Sequence, residues 1–279
     1  MKSACLALLC LFSICFQAEA QLRTPSPSPT QYIKQEFGLS TIELSYSRPN
    51  KKGRIVMGDL VPYGKIWRTG ANQATVLTFG DDVIIGGKTL PAGKYGLLTI
   101  PEKASWTFIL TKYLNVTSPD AYKSDSDVVR VSAPIVANRN NAETFSLQFT
   151  DVLATSCKLQ LSWENVSVSL PIKTDIDAKV MAGIDQAMSS AKPPYFAAAS
   201  YYFENGKDIQ KAKTWAQKAV EADPKAFYVV HLLAKVQAKA GEKAAAIETA
   251  KKSIELSKEA KNSDYVRLNE KLIAGLTKK

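Results

Sequence analysis

The sequence predicts an antiparallel β-sandwich followed by an all-α helical domain. Three observations carry that prediction. Apolar and polar residues alternate with a period of two between positions 31 and 173. Turn residues interrupt the alternation at close intervals. After Pro171 the apolar spacing becomes helical. The chain has 279 residues, 46% of them hydrophobic and 22% charged, which is enough for two packed cores and unlike a disordered or multi-span membrane protein.

The first element is a secretory signal over residues 1–20. Met1 and Lys2 give a positive start, Leu6 to Phe16 is almost wholly apolar, and Ala18-Glu19-Ala20 supplies a small-x-small cleavage site before Gln21. The apolar run is short for a bilayer, which needs about 20 residues, so no transmembrane segment is expected in the mature chain. Cleavage removes Cys5, Cys10 and Cys15 and leaves Cys157 alone, so an exported, periplasmic or extracellular protein is expected to fold without an internal disulfide. The strand-like residues after Cys157 suggest a small buried side chain. Residues 21–30 follow as a Pro/Ser-rich leader, in which Pro25, Pro27 and Pro29 favour an extended, solvated chain.

Residues 31–173 form the β domain. Ile42, Leu44 and Tyr46 share one strand face, as do Thr75, Leu77 and Phe79. Trp106, Phe108 and Leu110 form another set with Ile109 opposite, and Phe145, Leu147 and Phe149 another. Leu159 and Leu161 precede Trp163, and Val166, Val168 and Leu170 close the series. Gly80-Asp81-Asp82, Gly86-Gly87, Pro91-Ala92-Gly93, Pro119-Asp120 and Glu164-Asn165 read as turns. About nine or ten short strands so spaced fit two sheets around one core.

Residues 174–279 are helical. Ile176, Val180, Ile184, Ala187 and Met188 keep helical spacing with Asp175 as N-cap, and Pro193-Pro194 ends that helix. Ala212, Ala216 and Ala219 recur 34 residues later as Ala246, Ala250 and Ser253. This period and its small residues resemble the tetratricopeptide repeat. The second copy lacks the closing proline, and the large aromatic early in the motif is missing. Two degenerate repeats over 193–260, flanked by helices at 176–191 and 262–277, are expected; a plain helical bundle is the alternative.

The strings YSRP (46–49), GR (53–54), LVPYGKIWRTGANQAT (60–75) and LPAGKYGLLTIP (90–101) resemble a family of exported bacterial proteins, frequent in Bacteroidota and defined as a domain of unknown function. The resemblance covers roughly residues 25–173. It implies a β-rich exported domain, sometimes followed by tetratricopeptide-like helices. It implies no substrate, activity or catalytic residue.

The best candidate site is the loop around WRTGAN. Tyr63, Trp67, Arg68 and Asn72 lie among Pro62, Gly64 and Gly70, with Arg48 and Arg54 nearby as a cationic rim. Aromatic faces stack on sugar rings, and Arg and Asn supply directional hydrogen bonds. The same residues also suit a structural role, with Trp67 plugging the end of the sandwich, Arg68 paired to a carboxylate and Asn72 capping a turn.

Other signals are weaker. Gly87-Lys88-Thr89 looks like the tail of a phosphate-binding loop, but Asp82 stands where that motif needs glycine, so a hairpin is expected. Asp120, Asp125 and Asp127 have oxygen-ligand spacing, yet no glycine sits at the bend. His231 is the only histidine and is expected to pack between helices. With one histidine, neither a Ser-His-Asp arrangement nor a histidine-rich metal site fits, and no catalytic, metal or cofactor set is assigned.

Residues 21–174 carry 17 basic and 12 acidic side chains and residues 175–279 carry 18 and 13, a net +5 in each part. That diffuse charge suits simple solubility or an anionic partner, such as an anionic glycan or an acidic envelope protein. A nucleic-acid partner is not expected, because no basic run is present. The helical repeats could present a groove to a peptide or protein. The sequence therefore favours a non-catalytic, exported binding or scaffold protein of the bacterial envelope. The alternative is a carboxylate-dependent hydrolase acting on an envelope or extracellular polymer, drawing on Glu43, Glu102, Glu143 or Glu164.

Overall fold

The computed structural model describes residues 24–278, in two compact units that divide between Asp175 and Ile176. The signal-peptide assignment for residues 1–20 lies outside the described residues.

The first unit contains two antiparallel sheets. Strands β1 (Thr30–Phe37), β2 (Ser40–Ser47), β3 (Thr75–Phe79), β6 (Gly93–Pro101), β7 (Ser105–Thr111) and β8 (Asp127–Pro134) make one sheet in that order. Strands β4 (Val83–Ile85), β5 (Lys88–Leu90), β9 (Val136–Thr150) and β10 (Ser156–Lys173) make the other, ordered β5-β4-β10-β9. Alternation explains why they face each other. Leu44, Leu77, Leu97 and Phe108 from the first sheet share one buried cluster with Leu147, Leu161 and Leu170 from the second. Ile109 faces the other way and packs with Ala74, Leu98 and Val116. Cys157 is buried, and burial pushes its thiol up to about 11, far from a reactive thiolate.

Two local expectations are corrected. Glu164-Asn165 does not turn the chain. β10 runs through it with register shifts, Glu164 takes a φ of +48°, and Trp163 and Val166 both stay buried. The extra residue is absorbed as a bulge. The leader also ends earlier than expected, because β1 starts at Thr30 and the Arg48 N–H donates to the Pro29 carbonyl at 2.9 Å.

The Gly86-Gly87 expectation stands as a hairpin between β4 and β5, with φ of +59° and +79°. In the acidic loop Asp127 is already engaged. Asp127 pairs with Arg130 at 2.8 Å and accepts from the Tyr122 hydroxyl, and no group of three metal-binding side chains occurs among the described residues. Tyr122 is pushed up to about 12 by burial and by that carboxylate.

The second unit contains α1 (Asp177–Met188), α2 (Tyr195–Glu204), α3 (Ile209–Ala222), α4 (Phe227–Lys239), α5 (Lys243–Glu259) and α6 (Ser263–Thr277). From α2 onward each helix packs on the next. Ala212, Ala216 and Ala219 of α3 are buried, as are Ala246, Ala250 and Ser253 of α5, so small residues line both close approaches. Asp175 is not the first cap. Helix α1 begins at Asp177, after Ile176, with no side-chain cap bond; Asp208 instead caps α3, accepting from Gln210 N at 2.8 Å and Lys211 N at 3.2 Å.

His231 on α4 bonds Asn269 Oδ1 of α6 through Nδ1 at 2.8 Å. Burial pushes the imidazole below its usual range, the Asn269 bond raises it in part, and the Lys235 charge lowers it. The unfolded chain therefore takes up this proton first. The contribution of His231 to stability is complete above about pH 6.5 and falls as the pH drops below that value. Urea denaturation at pH 8 and pH 5 should show this loss for the native chain and a smaller one for His231→Gln. An equal loss in both would assign the effect to other groups.

Candidate functional site

The segment joining β2 to β3, residues 48–74, contains no regular strand. A connection of this length inside a compact domain is commonly functional. It is held by long-range bonds. The Trp67 and Thr99 backbones exchange two hydrogen bonds, at 2.8 and 2.9 Å, and the Gly64 N–H donates to the Pro101 carbonyl at 2.8 Å. The Glu164 carboxylate accepts from Val56 N and Met57 N, both at 3.2 Å, and Glu143 Oε1 accepts from Lys52 N at 2.8 Å. Two positions need glycine. A Cβ on Gly70, at φ +152°, would lie 3.0 Å from the Ser47 carbonyl oxygen, and one on Gly58, at φ +90°, would strike the Tyr63 ring at 2.7 Å.

This path creates a hollow of about 360 Å³. Trp67 and Trp163 stand in its wall with rings stacked at 5.8 Å and 21°. Arg54 and Arg68 join them, along with Ser28, Pro49, Leu60, Pro62, Ile66 and Pro119. No acidic side chain lines it. Arg54 donates from Nε and Nη2 to the Lys51 and Asn50 carbonyls at 2.9 and 2.8 Å. Arg68 donates from Nη1 to the Thr117 carbonyl, so the expected carboxylate partner is replaced by a backbone oxygen. Its Nε is buried and has no partner. Neither guanidinium meets a carboxylate, and both lie beside an aromatic wall, an arrangement suited to an anion with a flat apolar face.

Three of the six sequence candidates, Trp67, Arg68 and Arg54, meet here. The others do not. Arg48 donates from Nε to the Phe145 carbonyl at 3.2 Å and bridges to β9. Asn72, at φ +59°, donates from Nδ2 to the Ser28 carbonyl and Ser47 Oγ, both at 3.3 Å, and so pins the leader. Tyr63 lines a different hollow, with Lys103 and Trp106. Trp163 was missed as a site residue because its alternation marked it only as core; its indole Nε1 donates to the Glu143 carbonyl at 3.1 Å.

No curated protein and no solved structure matches the chain. A family profile described as "Protein of unknown function (DUF2911)" matches residues 28–172, which is just over half of the chain and takes in both sheets and the hollow. The chain therefore belongs to the DUF2911 family of proteins of unknown function.

Proposed function

We propose that this is an exported, non-catalytic binding protein of the bacterial envelope, and that its β domain holds an anionic glycan in the Trp67–Arg68 hollow. One observation carries the reading: two arginines without a carboxylate partner flank a stacked tryptophan pair in an open recess, and one of them keeps a buried N–H unused. A buried donor left unpaired costs about 1–3 kcal/mol, and an oxyanion would recover that cost. Sugar rings offer the flat apolar face that indole rings accept. The helical unit, with its 34-residue spacing of buried small residues, supports a tetratricopeptide-like scaffold for a peptide or protein partner. The hydrolase alternative has less support. Glu164 and Glu143 are occupied by backbone N–H groups, and Glu43 pairs with Lys34 at 2.9 Å.

Calorimetric titration with a hexuronic acid oligomer and its neutral hexose counterpart tests the reading. The charged oligomer should bind at least about tenfold more tightly, and Arg68→Gln should weaken it by about tenfold or more, as expected for a lost charge-assisted bond. Added salt should weaken it further. Equal affinity for the two oligomers, or unchanged binding by Arg68→Gln, would remove the proposal.

A further inference from the structure

Among the described residues, two buried side-chain donors have no hydrogen-bond partner: Arg68 Nε and the indole Nε1 of Trp106. The first belongs to the hollow above. Trp106 is fully buried on β7 and forms part of the wall of a second hollow of about 450 Å³. A buried N–H almost always finds an acceptor, so an unused one at the wall of a recess calls for an explanation.

The rest of that wall is of one kind. Tyr63 contributes a hydroxyl, Lys103 an ammonium and Asn165 an amide, and no Asp or Glu lines the recess. None of these three side chains has a hydrogen bond or ion pair with another described residue. Met57, Ile135 and Val166 supply an apolar part. Donors from four residues, one of them a lysine, line a space with an apolar side. The Tyr63 ring packs over Gly58, where a Cβ would come within 2.7 Å of it.

We propose that this second hollow binds a small carboxylate with an apolar body. The carboxylate is held by Lys103 and the Trp106 N–H, with Tyr63 and Asn165 closing around it. The site is separate from the first hollow and does not depend on the glycan reading. Between them the Trp67 and Trp106 rings meet edge-to-face at 6.0 Å.

Benzoate is the probe, and benzyl alcohol is its neutral control. The full mature chain is titrated by calorimetry and by tryptophan fluorescence. Benzoate should saturate in the millimolar range or tighter, and benzyl alcohol should bind about tenfold more weakly. Lys103→Gln, an exposed substitution, should weaken benzoate by about tenfold. Trp106→Phe keeps a ring and removes the N–H, and should also weaken it. Arg68→Gln should leave benzoate binding unchanged while weakening the hexuronate oligomer, which separates the two sites. The proposal is overturned if benzoate fails to saturate by about 10 mM, if Lys103→Gln binds it as well as the native chain, or if Arg68→Gln abolishes it. If Trp106→Phe does not fold, the Lys103→Gln titration still decides.

Discussion

Replacing Trp67 with alanine is expected to destabilise the β domain by about 3 kcal/mol, within the range for deleting a large core ring. Trp67 lies in the loop, yet it is half-buried and belongs to an aromatic cluster. Its ring sits 5.0 Å from Phe145, 6.0 Å from Trp106 and 5.8 Å from Trp163. Each such pair contributes about 0.5–1.5 kcal/mol beyond the area it buries. The backbone bonds to Thr99 survive the substitution, so the loop stays tethered while the cluster loses its centre. For a domain of this size the melting temperature should fall by roughly 6–12 °C. Trp67→Phe should recover much of the loss. A change below about 1 kcal/mol would show that the ring only rests on the surface. Loss of ligand binding by Trp67→Ala therefore cannot by itself identify a site, and Arg68→Gln is the more informative variant.

The strands were legible because burial on one sheet face imposes a two-residue period. The pattern even separated Ile109 from Trp106, Phe108 and Leu110, and the structure places it in a different cluster. Glu164-Asn165 was misread for a physical reason. A turn and a bulge can both place a polar residue at positive φ, as Glu164 is, and only the pairing of β10 with β9 tells them apart. In the site, the loop was visible from its Pro, Gly and aromatic content, and Trp67, Arg68 and Arg54 do converge. The loop's course was not visible, since it is set by Thr99, Pro101, Glu143 and Glu164, all distant in sequence. That course sends Tyr63 and Trp67, four residues apart, to different hollows and brings Trp163 beside Trp67.

The helical unit carries the second large expected effect, at a residue that its sequence pattern does not mark. Asn269 on α6 is completely buried, although an asparagine in mid-helix ordinarily faces water. Its Nδ2 donates to Ser253 Oγ of α5 at 2.9 Å and to the Tyr265 carbonyl at 2.7 Å, and its Oδ1 meets His231 Nδ1 of α4 at 2.8 Å. Because Oδ1 can only accept, His231 carries its proton on Nδ1. Ser253 in turn donates to the Phe227 carbonyl of α4 at 2.8 Å, so one amide joins three helices. Asn269→Ala leaves the part-buried His231 N–H and the buried Ser253 lone pair without partners. Each orphan costs about 1–3 kcal/mol, so a loss of about 3 kcal/mol in urea denaturation is expected. Asn269→Leu should do no better, because an apolar side chain of similar volume satisfies neither group. Asn269→Asp should behave differently. A carboxylate facing the imidazole favours its charged form, so the His231 pKa should rise, and the variant should recover stability as the pH falls. If Asn269→Ala and Asn269→Leu both cost less than about 1 kcal/mol, water reaches the network, and the three helices are held by their alanine contacts alone.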